Sequence, residues 1–306
     1  MSLSTIFMAL APLFLVAGCQ TLQQTPQELK ARETLRAMTR GGVLPGEDAV
    51  AKLESDFPKT TAGTLARLVH ARLKLNAKDN AGAAALLDSR LFRDYTVIGD
   101  YALWMRANAL EQVNRRADAR AAYEQLARDY PTSLRARDAL LRTAQMLMQD
   151  GQAAIVPATL KALTAKDGAA ALLLTAKAYE QSGDTTRALG NYRRIYFFAP
   201  WGEAAEAATA IARLGSSTAP ASSEEATTRA EKLFATKRFA ESYDAYTTAL
   251  SSFPNGANAS LQSRRVIAAA NARKYPEAAA ALNAVSGEAR AEAMFNRGLL
   301  AKSRAD

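Results

Sequence analysis

A fixed set of offsets recurs along this chain and constrains its fold more than any single motif does. From a small residue, apolar or small side chains follow at +3, +12, +16 and +19, and a proline at +24. One copy is Ala107, Leu110, Ala119, Tyr123, Leu126 and Pro131, and a second is Ala176, Tyr179, Ala188, Tyr192, Ile195 and Pro200. A third is Ala230, Leu233, Ser242, Tyr246, Ala249 and Pro254. This spacing predicts two antiparallel helices per copy. A small residue on each helix lets the axes cross closely, larger side chains fill the groove beside the crossing, and the proline stops the second helix. Alanine and leucine dominate, only 7% of residues are aromatic, and β-branched runs are almost absent. Such a composition favours helix nearly throughout. The expected fold is therefore all-α, an α-solenoid of helical hairpins.

Weaker copies extend the pattern. Val50, Leu53 and Phe57-Pro58 mirror Tyr123, Leu126 and Tyr130-Pro131, and Ala71, Ala83 and Leu87 keep the offsets without a closing proline. Ala144, Leu147, Gly151, Leu160 and Leu163 form another, and Val266, Ala278 and Leu282 one more. Units of about 34 residues with small residues at the crossing and a terminal proline resemble the tetratricopeptide repeat. A first amphipathic helix is expected from Glu28, stopping at Gly41-Gly42. The small polar run 215–224 (GSSTAPASSE) reads as a flexible linker between solenoid segments 31–214 and 225–306. The final helix, 288–303, is expected to lack a partner, as in a truncated array, because repeat arrays normally finish with an atypical cap.

Residues 1–18 carry no charged side chain and contain the apolar stretch 6–16, short for a membrane span but suited to an export signal. It ends in Leu15-Val16-Ala17-Gly18-Cys19, which resembles the lipobox of bacterial lipoproteins and implies a signal peptide over 1–18 and lipidation at Cys19. No Lys or Arg precedes the apolar core, so an ordinary cleaved signal or a misassigned start codon is the alternative. Gln20 after the cysteine points, by the rule of that family, to the periplasmic face of the outer membrane. The polar stretch 19–30 is the expected tether. Cys19 is also the one cysteine in the chain, so no intrachain disulfide supports the fold.

The order of segments resembles something narrower. Phe92-Arg93-Asp94-Tyr95 and Asp100-Tyr101-Ala102-Leu103-Trp104 precede the first clear repeat, and Arg194-Ile195-Tyr196-Phe197-Phe198-Ala199-Pro200 closes the second. Arg229-Ala230-Glu231-Lys232-Leu233-Phe234 and Gly287-Glu288-Ala289-Arg290 follow. Together these are similar to the N-terminal superhelical region of soluble lytic murein transglycosylases. In that family the chemistry resides in a separate C-terminal lysozyme-like domain, so the resemblance implies a non-catalytic segment here. The Glu54-Ser55-Asp56-Phe57 match to that domain's signature is better explained by repeat closure at Phe57-Pro58, and Met146-Leu147-Met148-Gln149 is a similar coincidence.

Other chemistry is sparse. With one histidine, His70, and one cysteine there is no His/Cys metal set or conventional triad, and no glycine-rich phosphate loop occurs. No catalytic residue, cofactor or metal is expected. The net charge of +9 is spread along the helices; an exported lipoprotein would not meet nucleic acid. Arg115, Arg116, Arg135 and Arg142 are the candidate ligand-groove residues, since guanidinium forks suit the carboxylates of peptidoglycan stems or acidic peptides. Solvated arginines are the plainer reading. Trp104 and Trp201 read as packing anchors, with sugar stacking the alternative. The expectation is a lipid-anchored envelope scaffold that binds envelope proteins or peptidoglycan. The alternatives are an outer-membrane assembly adaptor, or an active transglycosylase if a catalytic domain follows.

Overall fold

The computed structural model describes residues 25–40, 45–166, 168–285 and 287–302. Cys19, with 1–18 and the tether residues to 24, lies outside the described residues. Every regular element among the described residues is a helix, and the chain divides into two compact units, Met1–Ala122 and Tyr123–Asp306. The first holds α1 (Pro26–Met38), α2 (Glu47–Asp56), α3 (Thr61–Asn76), α4 (Asn80–Leu87), α5 (Leu91–Tyr95) and α6 (Gly99–Gln112). Helix α7 (Arg116–Asp129) carries the chain across the division. The second unit begins with α8 (Ala136–Gln149), α9 (Val156–Thr159), α10 (Lys161–Thr164), α11 (Ala169–Gln181), α12 (Thr185–Phe198) and α13 (Ala204–Arg213). It continues with α14 (Ser223–Ala235), α15 (Phe239–Ser252), α16 (Ala259–Asn271), α17 (Tyr275–Asn283) and α18 (Gly287–Lys302).

The crossing positions behave as their size demands. Ala107, Ala119, Ala176, Ala188, Ala230 and Ser242 are all at 0% exposure. In the third copy the two positions touch, since Ser242 Oγ donates to the Ala230 carbonyl at 3.0 Å. Around the second copy, Leu172, Tyr192, Ile195, Ala207 and Ile211 close into one apolar cluster.

A backbone device absent from the sequence motif closes these hairpins. Lys78, Asn114, Gly151, Gly183, Lys237 and Arg273 all have φ between 58° and 81°. Each stands seven residues after the first crossing position of its copy: Ala71, Ala107, Ala144, Ala176, Ala230 or Val266. The left-handed residue lets two amides turn back onto the last carbonyls of the first helix, as in a Schellman cap. Gly183 N donates to Glu180 O at 3.0 Å and Asp184 N to Tyr179 O at 2.8 Å, and the other turns repeat both bonds. Asp79 and Asp184 then start the next helix, accepting at Oδ1 from Gly82 N (2.8 Å) and Arg187 N (3.0 Å).

Three expectations change. Helix α1 begins at Pro26, inside the stretch read as tether, with Thr25 capping it; Glu28 is buried and accepts from Thr61 N at 2.7 Å, so α1 is fastened to the start of α3. The non-helical run 214–222 does sit between α13 and α14, but α12 packs against α14 across it. Arg193 also pins that run through the carbonyls of Ser217 (2.8 Å) and Ala219 (3.0 Å). Composition alone cannot report a partner that far back in the chain. Finally, α18 has a partner: Ala293 is buried in a cluster with Val266, Ala281, Leu282 and Val285, while Met294 and Phe295 stay exposed.

Tyr192 and Tyr246 occupy the same position of two copies but differ in their hydroxyls. Tyr192 donates to Glu180 Oε2 at 2.9 Å, and Glu180 is forked by Arg213, whose Nη2 lies 3.0 Å from Oε2. The Arg213 guanidinium, and secondarily Tyr192, hold the Glu180 carboxyl below its ordinary range against the opposing effect of burial. Tyr246 is fully buried against Phe234, and its hydroxyl finds no partner among the described residues.

Ala188→Leu forces α11 and α12 apart and is expected to cost about 1–3 kcal/mol or more, whereas Ala219→Leu on the exposed run is expected to leave the thermal midpoint unchanged. Equal midpoints would dismiss the crossing register. Tyr192→Phe breaks a bond to a charged acceptor and is expected to cost about 1.5–3 kcal/mol at pH 7, while Tyr246→Phe removes an orphaned hydroxyl and is expected to be neutral or stabilising. Because Glu180 is depressed in the folded state, its charged interactions are in place above its unfolded value. They are lost as pH falls through the folded one, which lies below the unfolded value, so the cost of Tyr192→Phe should shrink there. Urea titrations of both variants at pH 7 and over a descending series of acid pH values read these differences.

Candidate functional site

The first unit carries an open groove between α3 and α6. Two cavities of about 320 Å³ each adjoin there and share Arg72, Tyr101 and Met105. Helix periodicity explains the set. Leu68, Arg72 and Leu75-Asn76 recur every three or four residues on one face of α3, and Tyr101, Met105, Asn108 and Gln112 do so on α6. The core beneath, formed by Ala71, Leu87, Phe92, Ala102 and Met105, fixes the rotation of both helices.

The walls combine flat apolar faces with amides. Trp104 and Tyr101 are half-buried, Asn76, Asn80, Asn108 and Gln112 stand beside them, and Arg72 Nη1 lies 3.4 Å from the Tyr101 hydroxyl. Asn108 Nδ2 donates to the Trp104 carbonyl at 2.8 Å, one helical turn back. Rings supply stacking area at low entropic cost, and amides satisfy both donors and acceptors. The arrangement suits an extended polar chain with apolar or sugar-like faces. It contains no paired carboxylates and no nucleophile with an adjacent base.

A third cavity, of about 310 Å³, lies over the Glu54-Ser55 stretch and includes Pro58, Arg67 and His70. Both Glu54 oxygens are engaged, Oε1 by Arg67 Nη1 at 2.7 Å and Oε2 by His70 Nδ1 at 3.1 Å. Arg67 Nε also donates to the Leu86 carbonyl at 2.6 Å. His70 Nε2 lies 3.4 Å from Glu47, which Lys74 meets at 2.7 Å. Lys74 in turn draws the Glu47 carboxyl below its ordinary range. The network ties α2 to α3 and carries an arginine and a lysine among its acids. No group of His, Cys, Asp or Glu among the described residues is arranged to hold a metal ion.

The four arginines singled out from sequence are divided between the two units. Arg115 and Arg116 belong to the first unit, Arg135 and Arg142 to the second. Arg115 turns onto Asp118 at 2.7 Å, Arg142 lies 3.3 Å from Gln145, and Arg116 and Arg135 also have partners. None of the four lines the α3–α6 groove. Trp104 lines it, whereas Trp201 is 39% exposed with Lys232 Nζ 6.0 Å from its ring. Sequence reasoning passed over Arg72; its signal was the i, i+4 alignment with Leu68 and Asn76 on a helix whose next hairpin opens with Tyr101 and Trp104.

No helix among the described residues is long and apolar enough to cross a membrane. Comparison of the sequence with protein-family models and with curated proteins returns no match.

Proposed function

We propose that this chain is a non-catalytic scaffold of the cell envelope, built as a tetratricopeptide-type solenoid and anchored by a lipid on Cys19. The observation that carries the reading is the α3–α6 groove, an aromatic and amide-lined channel without catalytic groups. The shared offsets and repeated left-handed turns support the solenoid. The engagement of both Glu54 oxygens supports a structural role for the one transglycosylase-like motif. Peptidoglycan, whose strands offer both sugar faces and anionic peptides, is the ligand that fits the groove and the net charge of +9.

The anchor is tested separately. A clickable fatty acid fed to expressing cells is expected to label the wild type and not Cys19→Ala; equal labelling of both would remove the lipoprotein reading. For the ligand, purified protein is expected to sediment with isolated sacculi at low salt, less so at high salt as the attraction is screened. Trp104→Ala and Arg72→Ala, checked for unchanged helicity, are each expected to weaken sedimentation about tenfold, roughly the 1.4 kcal/mol reach of a lost stacking or ionic contact. No sedimentation at low salt would shift the scaffold to protein partners, as in an assembly adaptor. Release of soluble muropeptides that Glu54→Gln abolishes would overturn the non-catalytic reading altogether.

A further inference from the structure

The second unit holds a cavity of about 270 Å³ bounded by α12, the 214–222 run, α14 and α15. Tyr196, Phe197 and Pro220 form its apolar walls, Thr248 stands exposed at one edge, and Arg229, Glu241 and Asp244 are its charged lining residues. Arg229 is held by a ring and a carbonyl. Its guanidinium stacks on the Tyr196 ring, 3.7 Å from the centroid, and Nη1 donates to the Tyr196 carbonyl. No carboxylate among the described residues pairs with it, and burial pulls its affinity for the proton down.

The remaining donors are the ones that matter. Nε and Nη2 form the side-on edge of a guanidinium, the edge that grips a carboxylate with two parallel bonds. Neither finds a protein acceptor, and neither is among the sealed, unpaired side-chain atoms of the described residues, so the edge opens on solvent. Stacking on Tyr196 holds its plane in place before any ligand arrives. The neighbouring acids are already engaged: Glu241 is forked by Arg238, and Asp244 meets Lys274 at 3.0 Å. They offset other cations and leave one unspent positive charge. They also sit close enough to repel a dianion.

We propose that this cavity binds a small amphipathic monocarboxylate, its carboxylate on the Nε–Nη2 edge of Arg229 and an apolar body of about one residue against Phe197 and Pro220. A free carboxylic acid and the C-terminal residue of a peptide present the same chemistry. The fold supplies the site by a single substitution of partner: Arg229 stacks on an aromatic and spends one donor on a carbonyl, keeping its charge for a guest.

The test uses the purified chain and measures binding by ligand-detected NMR and calorimetry. Probes are N-acetyl-leucine, N-acetyl-leucinamide, N-acetyl-alanyl-leucine and phenyl phosphate. N-acetyl-leucine is expected to bind with millimolar affinity, the amide and the phosphate at least tenfold more weakly. Arg229→Gln is expected to lose at least tenfold. Because that change also removes a stacked contact, Thr248→Trp serves as a second variant, placing bulk over the mouth from an exposed position, and is expected to block binding with the thermal midpoint unchanged. Tighter binding of the dipeptide than of N-acetyl-leucine assigns the site to peptide termini, and equal binding assigns it to free acids; both support a carboxylate site. Binding of the amide as tight as the acid, full binding in both variants, or no binding of any probe would overturn it.

Discussion

Everything in this molecule depends on pairs of helices crossing at positions too small to keep them apart. Ala176 and Ala188, like Ala230 and Ser242, have no exposed surface, so the backbones approach until dispersion acts over the whole length of the hairpin. Without a disulfide or large aromatic core, this closeness is the main source of packing density available to an alanine-rich chain. Larger groups such as Tyr192 and Ile195 then fill the flanks of the crossing and face the next helix.

Close crossing requires a short turn, and the turn has its own chemistry. A left-handed residue seven places after the first crossing position returns the chain within three residues and satisfies the exposed carbonyls. Gly151 and Gly183, and less strongly Asn114, are the members of this set that announce themselves in sequence. Lys78, Asn114, Lys237 and Arg273 adopt the same conformation at a steric cost of about 1 kcal/mol, which the surrounding contacts offset. The hairpins were therefore legible from side-chain spacing, while the device that closes them was legible only where a glycine marks it, as at Gly183-Asp184. The reading of 288–303 as unpartnered failed for a related reason: a single buried alanine, Ala293, is enough to seat α18, and one alanine in such a chain carries no signal.

The candidate groove was less legible than the fold because polar side chains act over a distance that local patterns do not span. Several tie residues about one repeat apart. Glu28 caps Thr61, Gln181 reaches Met148, Arg213 forks Glu180 and Arg264 pairs with Glu231, each with a sequence separation of 33. An arginine read in isolation is a solvated cation; the same arginine read one stride back has a partner and a structural role. Arg115 and Arg142 attracted notice by clustering, yet Arg115 meets Asp118 and Arg142 meets Gln145, each three residues along its own chain segment. Arg72 drew none, and it is the cation of the groove.

The same stride explains why Arg229 stands apart. Counting 33 residues back from Arg213 or from Arg264 reaches a glutamate, and the charge is neutralised inside the fold. Counting 33 back from Arg229 reaches Tyr196, which offers a ring and a carbonyl. A carbonyl satisfies one N–H but cancels no charge, and a ring face stabilises the cation while fixing its plane. The position therefore keeps the geometry of a structural tie and the electrostatics of a binding group. A repeat architecture reaches this result with one change of residue, since each stride builds the same frame and only the side chain met at its far end decides whether a cation is consumed by the fold or left facing solvent.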